Sequence, residues 1–168
     1  MTFVELHAHT NSYAKDRLPT ALHEMLACEA LAQHLHKIQN QCWDGVSKDE
    51  TWEQSGVDAT LYCLHNDSKK LYIQVTRARE YDMSPESHDT NAYITGQAII
   101  ASLEFKCSNY KKRGVFTQQI TLLIVGVSPT EIVSELLDDD AGFRSHFEST
   151  TCFEHIYYIS GKNVVQLK

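Results

Sequence analysis

Glu24 lies in the run "ALHEMLACEALAQHLHKIQ" at the same helical spacing as Cys28, Leu31, Leu35 and Ile38. A carboxylate therefore stands on the line expected to face a core, where an ionised group needs a partner, a metal or the helix end to offset its lost hydration. Further along, Asp58, Gln74 and Thr76 fall on one face of a two-strand pattern, and Lys106 follows on a second helical pattern. Carboxylates with an amide oxygen are the donor types that hold a hard divalent cation, and a polar set of this kind under a helix must find partners or a metal. A second candidate is "FVELHAHTNSY", residues 3 to 13. On a strand, His7 and His9 would leave the same face, as a metal site requires.

These residues need elements to place them. From Pro19 to about Gln41 the sequence predicts a helix, with Thr20 as its N-cap and no breaker inside. The stretch "VDATLYCLHNDSKKLYIQVT" predicts two antiparallel strands around the turn "HNDSKK". If Leu64 faces Lys70, then Asp58 is opposite Thr76, Thr60 opposite Gln74 and Tyr62 opposite Tyr72. The other face is then apolar throughout: Ala59, Leu61 and Cys63 against Val75, Ile73 and Leu71. After a loop containing Pro85, a second helix is expected from about Thr90 to Lys112, with Ile94, Ala98, Ala101 and Phe105 on its stripe. "QITLLIVGV" has the continuous apolar character of a strand covered on both faces. A short helix, "EIVSELLDD", and a last strand, "EHIYYIS", complete the order, and the terminal part, "CFEHIYYISGKNVVQLK", could add a strand to the sheet or to a partner. The expected class is α/β, a mixed central sheet flanked by helices.

A chain of 168 residues with 42% hydrophobic and 22% charged residues is expected to form a single domain, 1–168, with an ordinary core. No apolar run is long enough to span a membrane and the start lacks a signal-peptide pattern, so a cytoplasmic protein without membrane association is expected. The five cysteines, at 28, 42, 63, 107 and 152, contain no C-x-x-C pair and are expected to be reduced, mostly buried thiols. A net charge of −7 works against general nucleic-acid binding. Attraction to phosphate would have to come from a local patch, with Lys106, Lys111, Lys112 and Arg113, or Arg77 and Arg79, as its candidates.

A helix with a glutamate, an aspartate on one strand, (E/Q)-x-K on the next, then a helix and a buried strand resembles the restriction-endonuclease-like, or PD-(D/E)XK, superfamily. The matching residues are Glu24, Asp58 and the triplet Gln74-Val75-Thr76, within roughly residues 19 to 127. The resemblance implies Mg²⁺-dependent phosphodiester cleavage of nucleic acid. Asp58 would bind the metal directly, Glu24 through water and Gln74 through its amide oxygen. The chain departs from the pattern at Thr76, where active members carry a lysine that handles the water or the developing charge. Either Lys106 or Arg77 has taken over that function, or catalysis is lost. Loss would leave an interaction subunit of a nucleic-acid-processing or defence assembly, and pairing into a homodimer is compatible with either outcome. A shorter resemblance joins "ELHAHT" to the first motif of the PHP family of metal-dependent phosphoesterases. It implies metal at His7 and His9, although the later D-H pair of that family is missing from the following forty positions.

Overall fold

The computed structural model describes residues 1–12, 20–48, 56–78 and 92–168. Pro19, Arg79, Pro85 and Thr90 lie outside the described residues. In chain order the elements are α1 (Phe3–Ser12), α2 (Thr20–Gln39), β1 (Gly45–Lys48), β2 (Ala59–Cys63), β3 (Asn66–Arg77), α3 (Ala92–Arg113), β4 (Ile120–Val125), α4 (Thr130–Asp139), α5 (Ala141–Thr150), β5 (His155–Ser160) and β6 (Asn163–Gln166).

Among the described residues, six strands form one mixed sheet in the order β1-β2-β3-β4-β5-β6. The β3–β4 and β4–β5 pairs are parallel and the other three antiparallel. The apolar run at 120–124 becomes β4, buried on both faces as its composition requires. Its alternate residues divide the core. Leu123 packs with Ile73, Val75, Tyr157 and α2, whereas Ile120, Leu122 and Ile124 pack with α3, α4 and α5. The sheet is thus covered by α1 and α2 on one face and by three helices on the other, an α/β architecture as expected.

The hairpin forms with the expected faces but a different register. Thr60 pairs with Tyr72, Leu61 with Leu71 and Tyr62 with Lys70, with a bulge between Tyr62 and Cys63. The chain turns at Leu64 and His65, and the polar residues 66–70 extend β3 rather than forming the turn. The offset is two residues, so every side chain keeps its face, and Asp58 comes opposite Gln74 instead of Thr76.

Other expectations change for local reasons. "FVELHAHTNS" is helical, not extended. Ile38 and Phe105, each placed on a core stripe, are exposed at 61% and 49%. Ile38 lies near the end of α2, and on α3 the buried line is Thr95, Ala98, Ile99, Ser102 and Leu103. The helix α5 was unexpected. Asp140 ends α4 and also caps α5, its carboxylate accepting from the Phe143 N–H at 2.8 Å. Strand β1 was also unexpected, because four residues carry no periodicity. The tail forms β6 on the sheet's own edge. Cys107 and Cys152 are disulfide-bonded, against the expectation of five reduced thiols. Their separation of 45 residues hides a proximity that only the packing of α3 against the end of α5 creates. Among the described residues, no helix is long and apolar enough to cross a membrane.

Candidate functional site

Where β1, β2 and β3 end beneath the first turns of α2, a cleft of about 300 Å³ opens between the helical layers. Thr20, Ala21, Glu24, Lys48, Asp58, Gln74, Val75 and Lys106 line it. Four of the five expected site residues, Glu24, Asp58, Gln74 and Lys106, are therefore brought together, from two helices and two flanks of one hairpin.

Asp58 is fixed first by backbone. Its N–H donates to the Ile73 carbonyl at 2.9 Å, continuing the β2–β3 ladder, and its Oδ2 accepts from the Val75 N–H at 2.9 Å. The same oxygen accepts from the Gln74 side-chain amide. Gln74 is 2% exposed, so its polar atoms need protein partners. Its NH₂ group also donates to the Val75 carbonyl at 2.9 Å, and its Oε1 accepts from the Tyr110 hydroxyl. This orientation follows from the surroundings. Asp58 and the Val75 carbonyl are both acceptors, so the donor end of the amide must face them, and the oxygen must turn to Tyr110. The expected use of Gln74 as an oxygen ligand is corrected accordingly. Gln74 orients Asp58.

Tyr110 also meets the Gly56 carbonyl with its hydroxyl, and its ring packs on Phe153. Gly56 has φ of 72°, a left-handed conformation that favours glycine and that turns the chain into β2 just before Asp58. Burial, reinforced by the Asp58 charge, holds the Tyr110 phenol protonated far above its ordinary range. Tyr110 is thus a fixed hydrogen-bond donor.

The charged groups oppose one another across the cleft. Burial raises the pKa of Glu24, and the negative charge of Asp58 raises it further; Lys48, Arg77 and Lys106 pull it back. Burial lowers the pKa of Lys106 and the nearby Arg113 adds to this, while Asp58 and Glu24 pull upward. Two carboxylates and a partly desolvated ammonium in one small cleft are poorly hydrated as they stand. A hard cation beside the carboxylates would offset the burial of Glu24 and its repulsion by Asp58, so the two carboxylates fit such an ion, which would at the same time press the Lys106 pKa further down.

Thr76 is not part of this cleft. It shares the Gln74 face but lies two residues further along β3, level with Ile124, in an adjoining recess with His23 and Arg77. Glu24 borders both spaces. Lys111, Lys112 and Arg113 are exposed in the last turn of α3, where they complement the helix dipole rather than line the cleft.

His7 and His9 point in directions about 200° apart around α1, so the strand-like ligand pair does not form. His7 instead meets Glu29, Nε2 to Oε1 at 2.7 Å, and the Gln33 amide donates to the same carboxylate oxygen at 3.2 Å. This pair borders a separate cavity of about 450 Å³ floored by Val125, Gly126 and Ile159.

Sequence reasoning missed Lys48 and Tyr110. Lys48 lies on the unexpected strand β1, paired with Ala59 beside Asp58. Tyr110 was legible in principle, since it follows Lys106 by four residues and shares its helix face. No family model, curated protein or solved structure matches the chain.

Proposed function

We propose that this protein is a Mg²⁺-dependent phosphodiesterase acting on nucleic acid, built on a restriction-endonuclease-like arrangement in which Lys106 of α3 replaces the motif lysine. The observation that carries this reading is the convergence of Glu24, Asp58 and Lys106 on one cleft, with Thr76 outside it. Asp58 and Glu24 would hold the ion. When bound, Mg²⁺ supplies Lewis acidity toward the phosphate and a more acidic water.

The chain's own residues do the rest. The Val75 N–H and the Gln74 amide keep Asp58 in one rotamer. Tyr110 keeps Gln74 in place. Lys106 supplies positive charge within the cleft, which Thr76 does not line, and its desolvation strengthens each interaction it makes with a phosphoryl oxygen. Lys48 adds a second cation to the cleft lining, which attracts a phosphate locally despite the net charge of −7.

A second reading is supported by Gln74, whose amide is satisfied entirely within the protein. On that reading the cleft is a relic and the domain is an interaction subunit, with the polar cluster serving only the fold. Purified protein should be offered supercoiled plasmid, linear DNA and RNA with Mg²⁺ or Mn²⁺, beside Asp58→Asn, which keeps an acceptor for the Val75 N–H. Metal-dependent cleavage that vanishes in the variant supports the enzyme. Two folded, silent proteins whose melting does not respond to Mg²⁺ support the subunit.

A further inference from the structure

Far from the cleft, at the other end of β1 and β2, three ligand groups of a different character meet. Cys42 and Asp44 precede β1, and Cys63 ends β2 at the bulge. One ligand atom from each of the three lies within 4.8 Å of the others. The Cys42 Sγ–H donates to Asp44 Oδ1 at 3.0 Å, while Asp44 Oδ2 accepts from the Leu64 N–H at 3.0 Å. The Asp44 N–H donates to the Tyr62 carbonyl at 3.1 Å, so the backbone on both sides of the group is tied together by the ladder. Neither thiol is in a disulfide.

We propose that Cys42, Asp44 and Cys63 form a binding site for a thiophilic divalent cation of the Zn²⁺ class, distinct from the hard-cation cleft. In a tetrahedral site with Zn–S near 2.3 Å, two sulfurs stand ~3.8 Å apart, and the ligand atoms here lie within 4.8 Å of one another without the metal. Two sulfurs and one carboxylate oxygen select Zn²⁺ over Mg²⁺ by ligand softness. Both thiols must lose their protons as the metal binds, and Asp44, already oriented by Leu64, keeps one oxygen directed at Cys42. Cys63 is buried whereas Cys42 and Asp44 are half-buried, which leaves the fourth coordination position on the solvent side. The bulge between Tyr62 and Cys63 breaks the regular alternation where the third ligand is needed, a common use of such irregularities. The bound ion would cross-link the approach to β1 with the end of β2. β1 is a four-residue strand at the edge of the sheet, and it carries Lys48 into the catalytic cleft at its far end.

Co²⁺ reports this site directly, because thiolate ligation gives sulfur-to-metal charge transfer in the near ultraviolet. Protein purified without air, with the Cys107–Cys152 bond verified by mass, should be titrated with Co²⁺ and then with Zn²⁺. The expected result is one Co²⁺ per chain with two-thiolate intensity, bleached by one equivalent of Zn²⁺. Cys42→Ser should roughly halve that intensity and weaken binding at least tenfold, and Cys28→Ser should leave both unchanged. Cys42→Ser is chosen because its side chain is half-buried; Cys63→Ser is the second variant, read only where circular dichroism shows it folded. Absence of charge transfer in folded wild-type protein would overturn the site. So would a spectrum that survives Cys42→Ser or is lost in Cys28→Ser. The readout does not involve Mg²⁺ or nucleic acid, and so is independent of the proposed nuclease activity.

Discussion

At one end of the β1–β2–β3 ladder, Lys48, Asp58 and Gln74 gather ammonium, carboxylate and amide groups; at the other, Cys42, Asp44 and Cys63 gather two sulfurs around one carboxylate. The two ends are built differently. The sulfur end is local, made by a loop, a bulge and a short turn within about two dozen residues. The cleft end depends on distant packing, since Glu24 arrives on α2 and Lys106 and Tyr110 on α3. The electrostatics differ as well. In the cleft, burial pushes Glu24 up and Lys106 down, so the groups needed for chemistry are held in unfavourable states. At the sulfur end, the Cys42 thiol and the backbone N–H of Leu64 both stabilise the Asp44 carboxylate, whose pKa is lowered, and the same contact pushes the Cys42 thiol up to about 12. On the proposed function, the first end is the site of reaction and the second a support.

Substitutions at the two ends should therefore separate activity from stability. The largest effect is expected from Asp58→Asn, which should abolish metal-dependent cleavage while preserving the fold, as checked by cleavage assay and circular dichroism on one preparation. At the support end, Gly45→Ala would force a methyl group into the Tyr62 ring. It should lower stability by about 1–3 kcal/mol, measured by urea unfolding, with cleavage per folded molecule unchanged. A loss of cleavage in that folded variant would show that the two ends are not separable. Tyr110→Phe removes the donor to Gln74 and Gly56. It should cost about 1–3 kcal/mol because buried acceptors lose their partner, and it should also slow cleavage, since Asp58 is oriented through Gln74.

The smallest effect carries the clearest sign. Burial, with the Asp58 charge nearby, raises the folded pKa of Glu24 above the ordinary carboxyl range. A raised carboxyl contributes stability that is fully present below the unfolded value and is lost as pH rises through the folded one. Glu24→Gln should therefore stabilise the protein near neutral pH, by less than about 1 kcal/mol after solvent screening. The difference from wild type should disappear below about pH 4.5. Thermal melts of both proteins from pH 4 to 8 would check this.

Much of this arrangement was legible before the structure. The alternation in residues 59–63 and 71–75 determined which faces meet, and the apolar run 120–124 had to be covered on both sides. Register was not determined, because a shift of two residues preserves the alternation. The turn residues and the bulge decide it, and "HNDSKK" looks equally polar wherever the chain reverses. Among the site residues, Glu24 and Asp58 stood out because a carboxylate conflicts with its surroundings. Lys106 could be named but not placed, since a lysine on a helix is ordinarily solvated and only the packing of α3 brings this one inward. Lys48 carried no signal at all. His7 and His9 were misread because an i, i+2 pair has one meaning on a strand and another on a helix, and "FVELHAHTNS" is compatible with both.

The central claim is that the lysine of the third motif has moved from β3 to α3. The most direct test is the single-turnover cleavage rate of Lys106→Met beside Lys48→Met, with the nucleic acid that wild-type protein cuts and saturating Mg²⁺. Loss of charge stabilisation at the reacting phosphate predicts a fall of roughly 10²–10³ for Lys106→Met, and a much smaller fall for Lys48→Met that is recovered at higher substrate. A folded Lys106→Met protein that cuts at the wild-type rate, while Asp58→Asn is inactive, would contradict the claim.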